Sequence, residues 1–104
     1  MLKTTFKPYY AVIFTSKKKK TDPTYVSMAE AMIELAKKQP GFIDIESAED
    51  EIGITVSYWE SLDAIAAWKG NSMHQIAQEM GKNDWYKYYK VKVARIEREY
   101  SFEA

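Results

Sequence analysis

The sequence predicts an α+β fold of ferredoxin-like type, a βαββαβ chain whose antiparallel sheet carries both helices on one face. Three observations predict it. Hydrophobic periods follow one another as strand, helix, strand, strand, helix, strand. The middle pair is a hairpin closed by the polar turn Glu49-Asp50-Glu51. The first and third strands carry apolar or aromatic residues on both faces, so something must cover the face the helices leave bare. A second copy packed sheet to sheet would do so, giving a dimeric α+β barrel; a ligand or another partner would also serve.

Taken in order, Tyr9-Tyr10-Ala11-Val12-Ile13-Phe14-Thr15 is apolar in both side-chain registers and reads as a central strand. Lys17 to Lys20 reads as part of a solvated basic loop over residues 16–22, because no interleaved aromatics support a nucleic-acid surface. Asp22 and Pro23 are a cap and a first helical position. The helix they open has Tyr25, Met28, Ala29, Met32, Ile33 and Ala36 on one stripe, and it ends near Gln39 before Pro40-Gly41.

Phe42 to Ala48 is a strand with one wetter face. In the strand from Ile52 to Trp59, Ile52, Ile54, Val56 and Tyr58 share one face, and Gly53, Thr55, Ser57 and Trp59 share the other. The small residues of that second face leave room for an approaching group. Ser61 is an N-cap and Asp63 a first-turn acid for a short helix that Gly70 stops. Ser72 to Met80 has the pattern of a second short helix, and Lys82 to Trp85 that of a turn. The last strand runs from Tyr88 to Tyr100; its apolar residues pass from Val91 and Val93 to Ala94 and Ile96, which predicts a bulge or a change of environment midway.

A chain of 104 residues reads as one domain, with its core over about residues 8–101. Fifteen basic residues balance fifteen acidic ones, so no global field points to nucleic acid or to a membrane. The absence of cysteine excludes disulfides, thiolate metal sites and a thiol nucleophile. No apolar run has signal-peptide or membrane-span length, and the expected location is the cytoplasm.

The unusual residues gather between Ile54 and His74. His74 is the only histidine, which excludes a multi-histidine metal site. It reads either as a surface histidine at a helix start or as a general base or hydrogen-bond donor in a pocket. Trp68 reads either as core or as an apolar wall for a ligand. Tyr58 and Trp59 end a strand on opposite faces, and Asn71 follows the helix stop. From the residues alone, the expectation is a small α+β domain with an aromatic cavity.

Pro40-Gly41-Phe42, Tyr58-Trp59-Glu60-Ser61-Leu62-Asp63-Ala64, Ala67-Trp68, His74, Ala77-Gln78 and the closing run from Val91 to Tyr100 together resemble the antibiotic biosynthesis monooxygenase domain family. The resemblance implies a homodimeric α+β barrel. It also implies a cavity between sheet and helices, used for oxygen-dependent oxidation of polyphenols to quinones without metal or flavin, or for haem breakdown. Two departures matter. The iron-binding histidine of the haem-degrading branch falls at Gln78, and that branch's first-strand asparagine has no counterpart between Tyr9 and Thr15, which disfavours haem degradation. The asparagine and tyrosine that bind phenol in the quinone-forming branch fall at Ala64 and His74.

The resulting expectation is a cofactor-independent monooxygenase acting on a small aromatic. His74 and Trp68 are its catalytic residues, and Tyr58, Trp59 and Asn71 its substrate contacts. The alternative is a non-catalytic dimeric barrel that binds a small aromatic.

Overall fold

The structure, a computed structural model, describes residues 6–19, 23–71 and 85–104. Its elements are β1 (Tyr9–Lys18), α1 (Pro23–Lys37), β2 (Phe42–Glu49), β3 (Gly53–Trp59), α2 (Leu62–Lys69) and β4 (Tyr86–Ile96). The strands form one antiparallel sheet in the order β2-β3-β1-β4. This is the ferredoxin-like α+β arrangement, with β1 and β3 in the middle.

Residues directly opposite in an antiparallel pair point to the same side. The register therefore sorts the sheet into two surfaces. Val12 faces Ser57 and Val93, and Phe14 faces Thr55 and Val91. Val12 packs against the buried cluster of Ala36, Trp59 and Trp68, so this set lies on the helix side. Ala11, Ile13 and Thr15, opposite Tyr58, Val56 and Ile54, lie on the other, open side.

The α1 stripe meets the sheet as its spacing predicts. Ala36 is buried, Tyr25, Met28, Ala29, Met32 and Ile33 are half-buried, and Glu30 and Glu34 are exposed. Ser61 caps α2, its hydroxyl accepting from the Ala64 amide at 3.0 Å, and Asp63 sits in the first turn, where the helix dipole favours an acid. Gly70 closes this helix by donating its N–H to the Ala66 carbonyl at 3.0 Å.

Two expectations are corrected. Lys17 and Lys18 belong to β1, not to a loop; alternation along β1 keeps Lys18 on the helix side with Val12, Phe14 and Ser16, where it pairs with Glu49 at 2.6 Å and lies over the Tyr25 ring, and the irregularity opposite it skips Lys87 of β4. β4 begins at Tyr86 and ends at Ile96, short of the expected Tyr100. At Val93 and Ala94 it stays in register with β1, so of the two outcomes expected there the change of environment is the one found: the apolar residues move from the helix side to the open side. The helix expected over residues 72–80 lies outside the described residues, as does His74.

Candidate functional site

The helix side holds two aromatic groups at opposite ends of the sheet. In the first, Trp59 is fully buried, stacks on Trp68 at 5.9 Å between centroids and meets Phe42 edge-on at 5.5 Å. Its indole N–H donates to the Ser57 hydroxyl at 2.9 Å, which satisfies a polar atom that burial would otherwise penalise. In the second, Tyr25 of α1 meets Trp85 and Tyr86 edge-on, and Phe14 stacks on Tyr89 at 5.4 Å. Burial, and then the Tyr25 hydroxyl, push the Tyr86 phenol well above its ordinary value.

Between these groups along β4 lie Val91 and Val93. Both are on the helix side, yet they are 46 % and 49 % exposed, whereas Trp59 and Trp68 at one end and Trp85 at the other are buried. Apolar side chains this exposed on the helix side are a candidate floor for a ligand. It lies one strand over from Val12, which touches the Trp59–Trp68 cluster.

The sequence-predicted site residues divide between the two faces. Trp59 and Trp68 come together on the helix side, and Trp59 fills the space that the small residues of its face had suggested was free. Trp68 is 8 % exposed and belongs to the buried cluster with Ala36 and Trp59 rather than being a freely presented ring. Asn71 is half-buried just beyond α2, its backbone N–H donating to the Trp68 carbonyl at 3.1 Å, so it is tied to the tryptophan through the helix end. Tyr58 is not with them. It lies on the open face, meets the Tyr9 ring edge-on at 5.9 Å and donates its hydroxyl to Glu46 at 2.9 Å. That hydrogen bond, before burial, raises the Tyr58 phenol above its ordinary value.

Two further clefts flank the first aromatic end. One, of about 390 Å³, is bounded by Lys7, Tyr10, Glu60, Leu62 and Arg95; the other, of about 350 Å³, by Tyr9, Ile43, Asp44, Glu46, Tyr58 and Glu99. Both are rich in charge, and neither is lined by Trp68 or Asn71. Among the described residues no group of three or more His, Cys, Asp or Glu is placed to hold a metal ion. No helix among them is long and apolar enough to cross a membrane.

Sequence reasoning passed over Val91, Val93 and Trp85. The valines read as ordinary strand residues, and only the register shows that their exposed faces look toward the helices. Trp85 reads as a turn residue, but it is buried against Tyr25 and its carbonyl accepts the Lys19 amide at 2.8 Å.

The profile of one protein family, antibiotic biosynthesis monooxygenase, matches residues 8–80 of the chain. The chain belongs to that family. The matched span runs from the start of β1 through the Pro40-Gly41-Phe42 turn and the α2 cap to beyond Trp68; Val91 and Val93 lie outside it. An uncharacterized protein of Bacillus subtilis (strain 168), YqjZ, is 48 % identical over 103 residues, covering 97 % of this chain and 90 % of its own length. Solved structures agree on the fold. Protein SO0527 of Shewanella oneidensis superposes with a TM-score of 0.77 at 9 % identity, over 88 % of this chain and 93 % of that one. A structure described as an antibiotic biosynthesis monooxygenase gives 0.69 at 10 % identity, over 82 % and 95 %.

Proposed function

We propose that this family member is a cofactor-independent monooxygenase that oxidises a small phenolic or polyphenolic aromatic with molecular oxygen, working in the cytoplasm as a homodimer joined through the open sheet face. The observation that carries the reading is the exposed apolar floor of Val91 and Val93 on the helix side, in a chain of this family. An aromatic ring laid on that floor would meet apolar side chains and the Trp68 side of the core. Asn71, tied to the Trp68 carbonyl just beyond α2, is the polar contact in this reading.

The chemistry needs a base more than a metal. Ionising the phenol makes the ring electron-rich enough to reduce oxygen; one oxygen atom stays as the quinone carbonyl and the other leaves as water. His74 is the base in this reading, since an imidazole titrating near neutrality can accept a phenolic proton. Trp68 bounds the ring and excludes water. Tyr58, on the far face, contributes to the sheet surface rather than to this step. Exposed Ile54 and the apolar row of Ile13 and Val56 on that face, together with Tyr100 and Phe102, 89 % and 88 % exposed beyond β4, support the dimer.

A second reading, a non-catalytic barrel that binds a small aromatic, is favoured by the deep burial of Trp68 in the core. Oxygen consumption and product formation with a panel of dihydroxyaromatics separate the two. The monooxygenase reading expects turnover that falls at least tenfold in His74→Ala; ligand-induced thermal stabilisation with no oxygen uptake would establish the second reading.

A further inference from the structure

The cleft beside the α2 cap continues the valine floor along the same side of the sheet. Tyr10 pairs with Trp59 on one side and with Arg95 on the other, in the row next to Val12 and Val93. Tyr10 and Arg95 therefore lie on the helix side. Arg95 follows Val91 and Val93 at the two-residue spacing of one face, about 7 Å beyond Val93. The cleft of about 390 Å³ opens there, between the approach to β1, the end of β4 and the first turn of α2.

Its lining carries both signs of charge. Lys7 and Arg95 are positive, Glu60 and Asp63 negative. Among the described residues, none of Lys7, Glu60 and Asp63 forms an ion pair, and Arg95 pairs only with Glu97, through Nε at 3.4 Å. The terminal nitrogens of the Arg95 guanidinium are left for a carboxylate, which such a fork binds in bidentate fashion. A simple anion entering this cleft would be drawn by the two bases and repelled by the two acids, and a simple cation the reverse. A ligand with both charges on one head group satisfies all four side chains. Exposed Leu62 and the Tyr10 ring add apolar surface in the same cleft. The Ser61 hydroxyl is committed to the Ala64 amide, so recognition of a head group falls to the charged side chains.

We infer that the ligand of the valine floor is a phenolic α-amino acid, its ring on Val91 and Val93, its carboxylate on Arg95 and Lys7, and its ammonium on Glu60 and Asp63. This rests on the function proposed above and names the substrate class for it. The side arm of such an amino acid sets ring and head group a few ångströms apart, the same order as the step from Val93 to Arg95.

Four probes sharing one ring separate the charges: dihydroxyphenylalanine, dihydroxyphenylpropionate without the ammonium, dopamine without the carboxylate, and methylcatechol with neither. Binding to the full chain is measured without oxygen, by calorimetry and by the methyl NMR signals of Val91 and Val93, so that turnover does not enter. The amino acid is expected to bind at least tenfold more tightly than each of the other three, and to shift the valine signals. Arg95→Gln is expected to weaken the amino acid and the propionate while dopamine and methylcatechol hold. Glu60→Gln combined with Asp63→Asn is expected to weaken the amino acid and dopamine while the other two hold. The unchanged methylcatechol affinity shows in each variant that the fold is intact. Equal binding of all four probes with the valine signals shifted overturns the inference and leaves the floor standing, as does tighter binding of the propionate or of dopamine than of the amino acid. Valine signals unmoved by every probe remove the floor, and this inference with it.

Discussion

Trp59 and Ser57 show how one residue pair settles which face of the sheet becomes the interior. They are two positions apart on β3 and so point the same way, and the tryptophan N–H reaches back to the serine hydroxyl. The indole is buried without an unsatisfied donor, its rings wedged between Phe42 and Trp68. Replacing Ser57 with alanine leaves that N–H buried and unpaired; a loss of about 1–3 kcal/mol is expected by urea denaturation. A loss of under half that would show the serine to be a filler. The alternation that put Ser57 and Trp59 on one face was legible in the sequence. Which face the helices would cover was not, because both registers of β1 and β3 are apolar and periodicity alone does not choose between them.

At the scale of elements, the turn into β2 and the cap of α2 are built against each other. Gly41 has φ +84°, and a Cβ there would lie 2.6 Å from the Ala64 Cβ in the first turns of α2. Its carbonyl accepts the Glu60 amide at 2.8 Å, so the Pro40-Gly41-Phe42 turn and the β3–α2 junction are locked together. Gly41→Ala is expected to cost more than about 1 kcal/mol, from the backbone conformation and the clash combined. An unchanged denaturation midpoint would contradict this close approach. The sequence discloses both motifs, since a Pro-Gly turn and a serine cap are local signals. Their contact is long-range and has no local signature.

The second aromatic group, which joins α1 to the start of β4, has its own signature in pH. The Tyr86 phenol is raised by burial, so its neutral form is favoured in the folded state. The unfolded chain loses this proton near the ordinary tyrosine value, about pH 10, while the folded chain keeps it. Stability from this group is complete below that pH and declines as pH rises above it. Denaturation followed from pH 8 to 11 is expected to show a shallower alkaline loss in Tyr86→Phe than in the parent; identical slopes would place Tyr86 outside the coupling. Tyr86 lies beyond the strand start that pattern reading chose, because the run from Lys82 to Trp85 reads as a polar turn rather than as the approach to a buried aromatic corner.

For the whole molecule, the proposed function gives the two sides of the sheet separate tasks. Its helix side would take the ligand at the exposed Val91 and Val93; its open side, with Ile13, Val56 and exposed Ile54, would take the second copy. Family and fold were legible in the spacing of Pro40-Gly41-Phe42, Trp59, Ser61 and Trp68, because those residues build the junctions that define the architecture. The site was legible only in part, because a ligand floor is made by residues such as Val91 and Val93, whose significance depends on which side of a sheet they face. The separation of tasks is tested most directly by methyl-resolved NMR during titration with a dihydroxybenzene such as catechol. The account predicts that the methyl signals of Val91 and Val93 and the indole signal of Trp68 shift with ligand, while those of Ile13 and Val56 stay in place. Shifts centred on Ile13, Val56 and Ile54, with Val91 and Val93 unmoved, would put the ligand on the sheet face instead and contradict it.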